Sequence, residues 1–291
     1  MALNELTCSG YDNAAFGNPQ LLKLTNYQFM SDIPEWVQVS ILAVIQGIAE
    51  FLPISSSGHL NVFQTLLSAE APDSAELNIV LHFGTLLAIL LFYWRRILAL
   101  LTSDRRVIPM LIVGTIPAAV IGIIIKTQYK ELLNSPLLAG CMFPITGLLL
   151  IVLHRLTNGK DEYAKMPMWM PFVIGCAQAF ALLPGISRSG STIVAGSMLG
   201  LKQDEAMTFS FLLAIPAILG ASVLELKDIL EVGKTTTPPM ILLLGTVIAF
   251  FVGLGALRWL DGLLKQGKLH WFAWYLIPLG IVVVLWRLFL A

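Results

Sequence analysis

Two short stretches hold most of the polar side chains able to do chemistry inside apolar surroundings. Residues 46–58 read QGIAEFLPISSSG and are followed by His59. Residues 178–190 read QAFALLPGISRSG and are followed by Ser191 and Thr192. The offset is 132 residues without a gap, and six of thirteen positions are identical. The first stretch supplies Gln46 and Glu50, four apart and therefore on one helical face, then Ser55, Ser56 and Ser57. A carboxylate there can hold a divalent cation that bridges phosphates. Pro53 interrupts the helix, so the serines beyond it can open a second one whose free N–H groups suit phosphate. The second stretch offers Ser187, Ser189, Gly190 and Thr192 in the same arrangement, with Arg188 added as a bidentate phosphate partner. His59 can move a proton or attack phosphorus directly. Combined, these parts predict a phosphate-handling site where the two stretches meet.

Plainer readings stand beside this one. A single SSSG or SRSG is usually a turn or a cap, and serine in an apolar helix often bonds its own backbone. Glu50 and Arg188 can form a buried ion pair that only ties the halves together. His82, alone in its apolar segment, reads as structural, and Trp169 and Trp271 as interfacial anchors. The three cysteines, Cys8, Cys141 and Cys176, have no metal or redox spacing. Cys141 and Cys176 read as small core residues. The functional reading gains from coincidence: the charged residues of both segments lie within a few positions of the duplicated Ser-x-Ser-Gly.

The elements that must position these residues are membrane helices. Apolar residues make up 57% of the chain and charged ones 12%, against about a quarter charged in soluble proteins; the mean hydropathy is +0.80. Runs long enough to span a bilayer, about 20 residues, fall near 76–94, 107–126, 137–155, 205–224, 239–259 and 271–290. The segments 36–68 and 169–200 are apolar but broken at their centres by Pro53 and by Pro184-Gly185. Such breaks are tolerated at membrane depth only where they line a cavity or are buried in protein, so each predicts a re-entrant helical hairpin. Residues 1–30 read as a polar, disordered extension without the pattern of a signal peptide. Residues 31–291 form one membrane domain, and no basic run suggests nucleic acid.

The duplication extends past the motif. Pro109-Met110 returns as Pro239-Met240, Gly114-Thr115 as Gly245-Thr246, and Arg155-Leu156 as Arg287-Leu288. The fold class expected is therefore all-α, with an inverted-topology repeat: about 36–156 and about 169–290, each a re-entrant hairpin followed by three transmembrane helices. An odd number of spans turns the second copy upside down. The basic loops carrying Arg95, Arg96, Arg105, Arg106, His154, Arg155, Lys160, Lys165, Arg258, Lys265 and Lys268 are then cytoplasmic. Glu70, Asp73, Glu76 and both termini are expected outside.

At this point the chain resembles a known family. QGIAEFLPISSSGH is similar to the (E/Q)xxxE and PxSSxGH segments of the BacA/UppP-type undecaprenyl-diphosphate phosphatases of bacteria. LLPGISRSGSTI is similar to their PGxSRSGxT segment, and FSFLLAIPAILGA at 209–221 shares its character. The resemblance covers about residues 36–291. It implies hydrolysis of undecaprenyl diphosphate to undecaprenyl phosphate, recycling the carrier for cell-wall synthesis. It also implies bacitracin tolerance, dependence on a divalent cation (Mg²⁺ or Ca²⁺), and a multi-pass protein of the inner membrane with its site facing outward. Carried over by motif position, Glu50, Ser56, His59, Ser187, Arg188 and Ser189 form the site. The expected division of labour has Glu50, assisted by Gln46, holding the cation and Ser56 attacking phosphorus with His59 as its base. Arg188 stabilises the phosphoryl group, with Ser55, Ser57, Ser187, Ser189, Gly190 and Thr192 around the phosphates. His59 as direct nucleophile stays open. Gln46 carries the amide of the two forms its position allows. Partners expected are the polyprenyl diphosphate and membrane lipids, with a homodimer left open. Two rival functions remain: a transporter or flippase of a phosphorylated prenyl lipid, and the PSGH lipid phosphatases, whose K-x6-RP and SR-x5-H-x3-D segments this chain lacks.

Overall fold

A computed structural model describes residues 33–67, 74–232 and 237–289. The extension at 1–30, Cys8, Glu70 and Asp73 lie outside the described residues. The regular structure is helical: α1 (Glu35–Ala49), α2 (Ser56–Leu67), α3 (Ser74–Phe92), α4 (Trp94–Leu101), α5 (Val107–Gln128), α6 (Lys130–Leu133), α7 (Pro136–Arg155), a 3₁₀ turn (Tyr163–Lys165), α8 (Trp169–Phe180), α9 (Arg188–Met198), α10 (Gln203–Val232), α11 (Pro239–Lys265) and α12 (Trp271–Phe289). Among the described residues, pairing of the β type is limited to one isolated bridge, Asp161 to Leu201.

Five of these helices are long and apolar enough to cross a membrane, and α3 with α4 makes a sixth candidate bent by 73°. This is a multi-pass membrane protein. The span expected at 76–94 stops at Tyr93, where the chain turns into α4 carrying Arg95 and Arg96. Pro117, Pro144, Pro216 and Pro278 sit inside helices without ending them, as is tolerated in membrane helices. Large apolar side chains cover the outer surface; Trp274 is 80% exposed and Phe251 65%. That surface is suited to lipid and not to water. Cys141 and Cys176 are exposed, not core as expected, because the inward face of each helix is taken by glycine and larger apolar residues. Trp169 and Trp271 are exposed at helix starts.

The two halves pack by exchange. Helix α1 lies on α11 and α8 on α5, while α7 and α12 form the closest pair. Small residues allow it. A Cβ on Gly245 would meet Val39 at 2.9 Å, and one on Gly114 would meet the Pro171 carbonyl at 3.1 Å. Val39 and Pro171 are themselves 132 residues apart, so each duplicated glycine receives the matching residue of the other half. One rim of the bundle gathers the basic loops. Arg106 donates to the Met166 carbonyl at 3.4 Å, the Lys160 and Asp161 amides donate to the Gly200 carbonyl, and the rings of His154 and His270 lie 3.8 Å apart, tilted by 34°. At the other ends of these helices, Asn61 donates to the Leu133 carbonyl at 2.7 Å and the Thr237 amide to Glu76 at 3.4 Å.

The broken centres of the hairpins meet inside. A Cβ on Gly58 would stand 2.7 Å from the Gly185 amide nitrogen and 2.8 Å from the Phe143 ring. Only a residue with no side chain lets these backbones touch. Gly58→Ala is expected to destabilise the fold by about 1–3 kcal/mol, the usual cost of overpacking, read as a lowered melting temperature in detergent. An unchanged melting temperature would show that the tips are not in contact.

Candidate active site

Glu50 closes the break after α1 and is 8% exposed. A carboxylate in that position is costly unless its oxygens are bonded, and both are. Oε1 accepts from Arg188 Nη2 at 2.6 Å. Oε2 accepts from Ser56 Oγ at 2.7 Å and from Gln46 Nε2 at 3.1 Å. The ion pair joins the hairpins 138 residues apart. Arg188 also donates to the Ser210 carbonyl at 3.4 Å and stands over the Phe211 ring, so its guanidinium is held in place from two sides.

The helix starts beside this pair are matched. Ser187 Oγ accepts from the Gly190 amide at 3.1 Å and Ser55 Oγ from the Gly58 amide at 3.3 Å, each capping its helix at the third residue. Ser55 Oγ also accepts from the Gly185 amide at 3.0 Å, across the repeat boundary. Ser55 has φ +72°, a conformation costing about 1–3 kcal/mol outside glycine. Pro53 cannot take positive φ; in the second copy Gly185 holds the Pro53 position and has φ +95°. Thr146 fixes this second turn: its hydroxyl donates to the Gly185 carbonyl at 2.7 Å and accepts from the Ser187 amide at 3.0 Å. The other first-turn amides of α2 and α9, those of Ser56, Ser57, Arg188 and Ser189, have no intrahelical partner.

Expected site residues thus sort by what their atoms already do. Ser55, Ser187 and the Gly190 amide are committed to caps. Thr192 donates to the Arg188 carbonyl at 2.8 Å and shares a 2.6 Å bond with Ser210 Oγ, which fastens α9 to α10. Ser189 pairs with Ser187 at 3.2 Å. Ser57 is exposed, and Ser56 and Arg188 are partly so, which opens them to a ligand. Ser56 and His59 do not pair as expected. Ser56 turns to Glu50, because the tight turn at Ser55 carries the α2 start over the carboxylate. His59 turns the other way: Nδ1 donates to the Ser55 carbonyl at 2.8 Å, and Nε2 lies 2.8 Å from the Tyr275 hydroxyl.

Three contributors escaped the sequence. Tyr275 belongs to an aromatic run in the last span and gave no sign that it reaches His59. Thr146 is a lone hydroxyl in an apolar helix. His82, read as structural, places Nε2 3.7 Å from Glu50 Oε2. A polar residue surrounded by apolar ones was the available signal for the last two.

Known proteins resemble this chain over most of its length. Residues 39–282 match the family described as "Bacitracin resistance protein BacA". The chain belongs to this family. A relative named undecaprenyl-diphosphatase from Rhodopirellula baltica is 55% identical over 255 residues, covering 87% of this chain and 99% of the relative. Proteins of the same name from Halothermothrix orenii (39% identical, 86% of this chain and 98% of the relative) and Corynebacterium glutamicum (36%, 86% and 90%) also align. The matched span contains the broken centres of both hairpins and every residue bonded to Glu50.

Removing Arg188 leaves a buried carboxylate uncompensated. Arg188→Ala is expected to destabilise the protein by about 3–5 kcal/mol, with Glu50→Ala/Arg188→Ala losing clearly less than the sum of the single changes. Denaturant unfolding in detergent measures this; strict additivity would mean the pair is not coupled.

Proposed function

We propose that this chain hydrolyses undecaprenyl diphosphate to undecaprenyl phosphate and inorganic phosphate, which returns the lipid carrier to peptidoglycan synthesis. The observation that carries this reading is the carboxylate–guanidinium pair at the meeting of two hairpin tips, with Ser56 bonded to the carboxylate and a serine-capped helix starting at each tip. Guanidinium and amides suit a phosphoryl group, and the relatives' shared name supplies the substrate. The abundance-dependent bacitracin tolerance of the family follows from the same activity.

The donor set fits a divalent cation. Gln46 Oε1 is buried with no hydrogen-bond partner, and Gln46 and Glu50 lie side by side. These oxygens would hold Mg²⁺ or Ca²⁺. Among the described residues no three His, Cys, Asp or Glu side chains converge as a cage, which suits a cation completed by substrate phosphate oxygens. Bound there, a cation neutralises diphosphate charge and polarises the phosphorus–oxygen bonds.

Ser56 Oγ attacks the terminal phosphorus, its proton passing along the 2.7 Å bond to Glu50 Oε2. The carboxylate therefore takes the role first expected of His59. The bond from phosphorus to the bridging oxygen breaks, and undecaprenyl phosphate leaves. His59, its Nδ1 proton held by the Ser55 carbonyl, takes the Tyr275 hydroxyl proton on Nε2 as Tyr275 takes one from water. That water attacks the phosphoserine, the bond from Ser56 Oγ to phosphorus breaks, Glu50 returns its proton to Oγ, and phosphate is freed. Arg188 and the amides of Ser57 and Ser189 stabilise charge on the phosphoryl oxygens in both steps.

The protein lies in the bacterial inner membrane with the site opening outward. The gathering of basic loops on one rim supports a cytoplasmic placement of that rim. The α2 end near Leu133 and the α9 end near Lys160 lie at different rims, which supports hairpins entering from opposite sides in an inverted repeat. External labelling should reach a cysteine at position 134 and not one at 103; the reverse pattern would refute this orientation.

In purified protein, Glu50→Ala, His59→Ala and Arg188→Ala should each lower phosphate release at least about a hundredfold. EDTA should abolish it and Mg²⁺ or Ca²⁺ restore it. Near-normal turnover in two of the three variants would overturn the site assignment. Binding of the lipid without any phosphate release would point to a carrier. A trapped phosphohistidine, with turnover retained by Ser56→Ala, would move the nucleophile to His59.

A further inference from the structure

His82 reaches the site from α3, outside both hairpins. Its Nδ1 lies 2.8 Å from the Asn78 carbonyl, which can only accept, so Nδ1 carries a hydrogen. In the neutral ring Nε2 then presents a lone pair toward Glu50 Oε2, 3.7 Å away. Two acceptors facing each other repel unless something positive lies between them. Ligand bonds to a small divalent ion run about 2.0–2.2 Å, which puts neighbouring ligand atoms roughly 3–4 Å apart. The His82–Glu50 separation falls in that range. A backbone carbonyl on the far ring nitrogen is also the usual support of a metal-binding imidazole. The third donor is the buried, unpartnered Gln46 Oε1, brought to the cation by a half-turn of the side-chain amide whose Nε2 now faces Glu50 Oε2. The His82 side chain is 29% exposed, so the ring is not sealed in, and Arg188 engages the opposite carboxylate oxygen.

We propose that His82 is a ligand of the divalent cation, giving an imidazole–carboxylate–amide set in place of an all-oxygen one. This rests on the reading that Glu50 and Gln46 hold a cation. Imidazole favours first-row transition ions over Mg²⁺ and Ca²⁺, so this chain should bind Mn²⁺ or Co²⁺ more tightly than either.

Pulsed electron paramagnetic resonance on the full-length protein in detergent, with Mn²⁺ alone as probe, tests this directly. Wild type should show nitrogen coupling to bound Mn²⁺. His82→Gln should lose that coupling and bind Mn²⁺ about tenfold or more weakly, a loss of the size seen when metal-site support is removed; His59→Gln should keep the coupling. Bound Mn²⁺ without nitrogen coupling in wild type, or coupling that survives in His82→Gln, would overturn the proposal. Absence of Mn²⁺ binding would overturn it too. In either case EDTA-sensitive phosphate release would leave the cation reading standing, and EDTA-insensitive release would remove both.

Discussion

A carboxylate buried in a protein that itself sits in lipid is the constraint around which this fold is arranged. Glu50 cannot stay ionised there without donors, and it recruits them from separate parts of the chain. Gln46 comes from its own helix, Ser56 from the far side of the break, and Arg188 from the other repeat. Satisfying one side chain therefore fixes the distance between two hairpins that share no covalent neighbour. The apolar frame does the rest: glycines at 47, 58, 114 and 245 bring backbones close enough for short polar side chains to reach.

The strained turn at Ser55 belongs to the same arrangement. Its left-handed backbone is held by three bonds at once: Oγ accepts from Gly58 and Gly185, and its carbonyl accepts from His59. Turning the chain there sends Ser56 to the carboxylate and His59 toward Tyr275. Two candidate reactive groups three residues apart in one helix are thereby given different partners. That separation suits a two-step transfer, in which the group that attacks and the group that activates water need different surroundings.

Much of this was legible before any coordinates. The hairpins announced themselves through Pro53 and Pro184-Gly185 in apolar surroundings, and their pairing through the repeat. Glu50 and Arg188 stood out as charges that lipid would not tolerate alone. What could not be read were contacts made by single residues on helices with no polar face. Span one is apolar on all sides, so nothing in its periodicity says which way His82 points; its packing against α11 decides that. The pairing expected between Ser56 and His59 failed for a local reason, since helical spacing ignores a left-handed residue one position upstream. Cys141 and Cys176 were placed inside by the soluble-protein rule that apolar neighbours mean a core, whereas here apolar neighbours face lipid.

The repeat is duplicated in sequence and asymmetric in chemistry. Leu182 occupies the position of Glu50, Arg188 that of Ser56, and Ser191 that of His59. Gln178, matching Gln46, is buried with both amide atoms unbonded. One half supplies the acid and imidazole, and the other the guanidinium. Neither half could do the work by itself, and two copies of either would not help. An inhibitor aimed at this centre would saturate at one molecule per polypeptide, and ancestry as a dimer of identical halves would have required one surface to carry both signs of charge before the duplicated genes diverged.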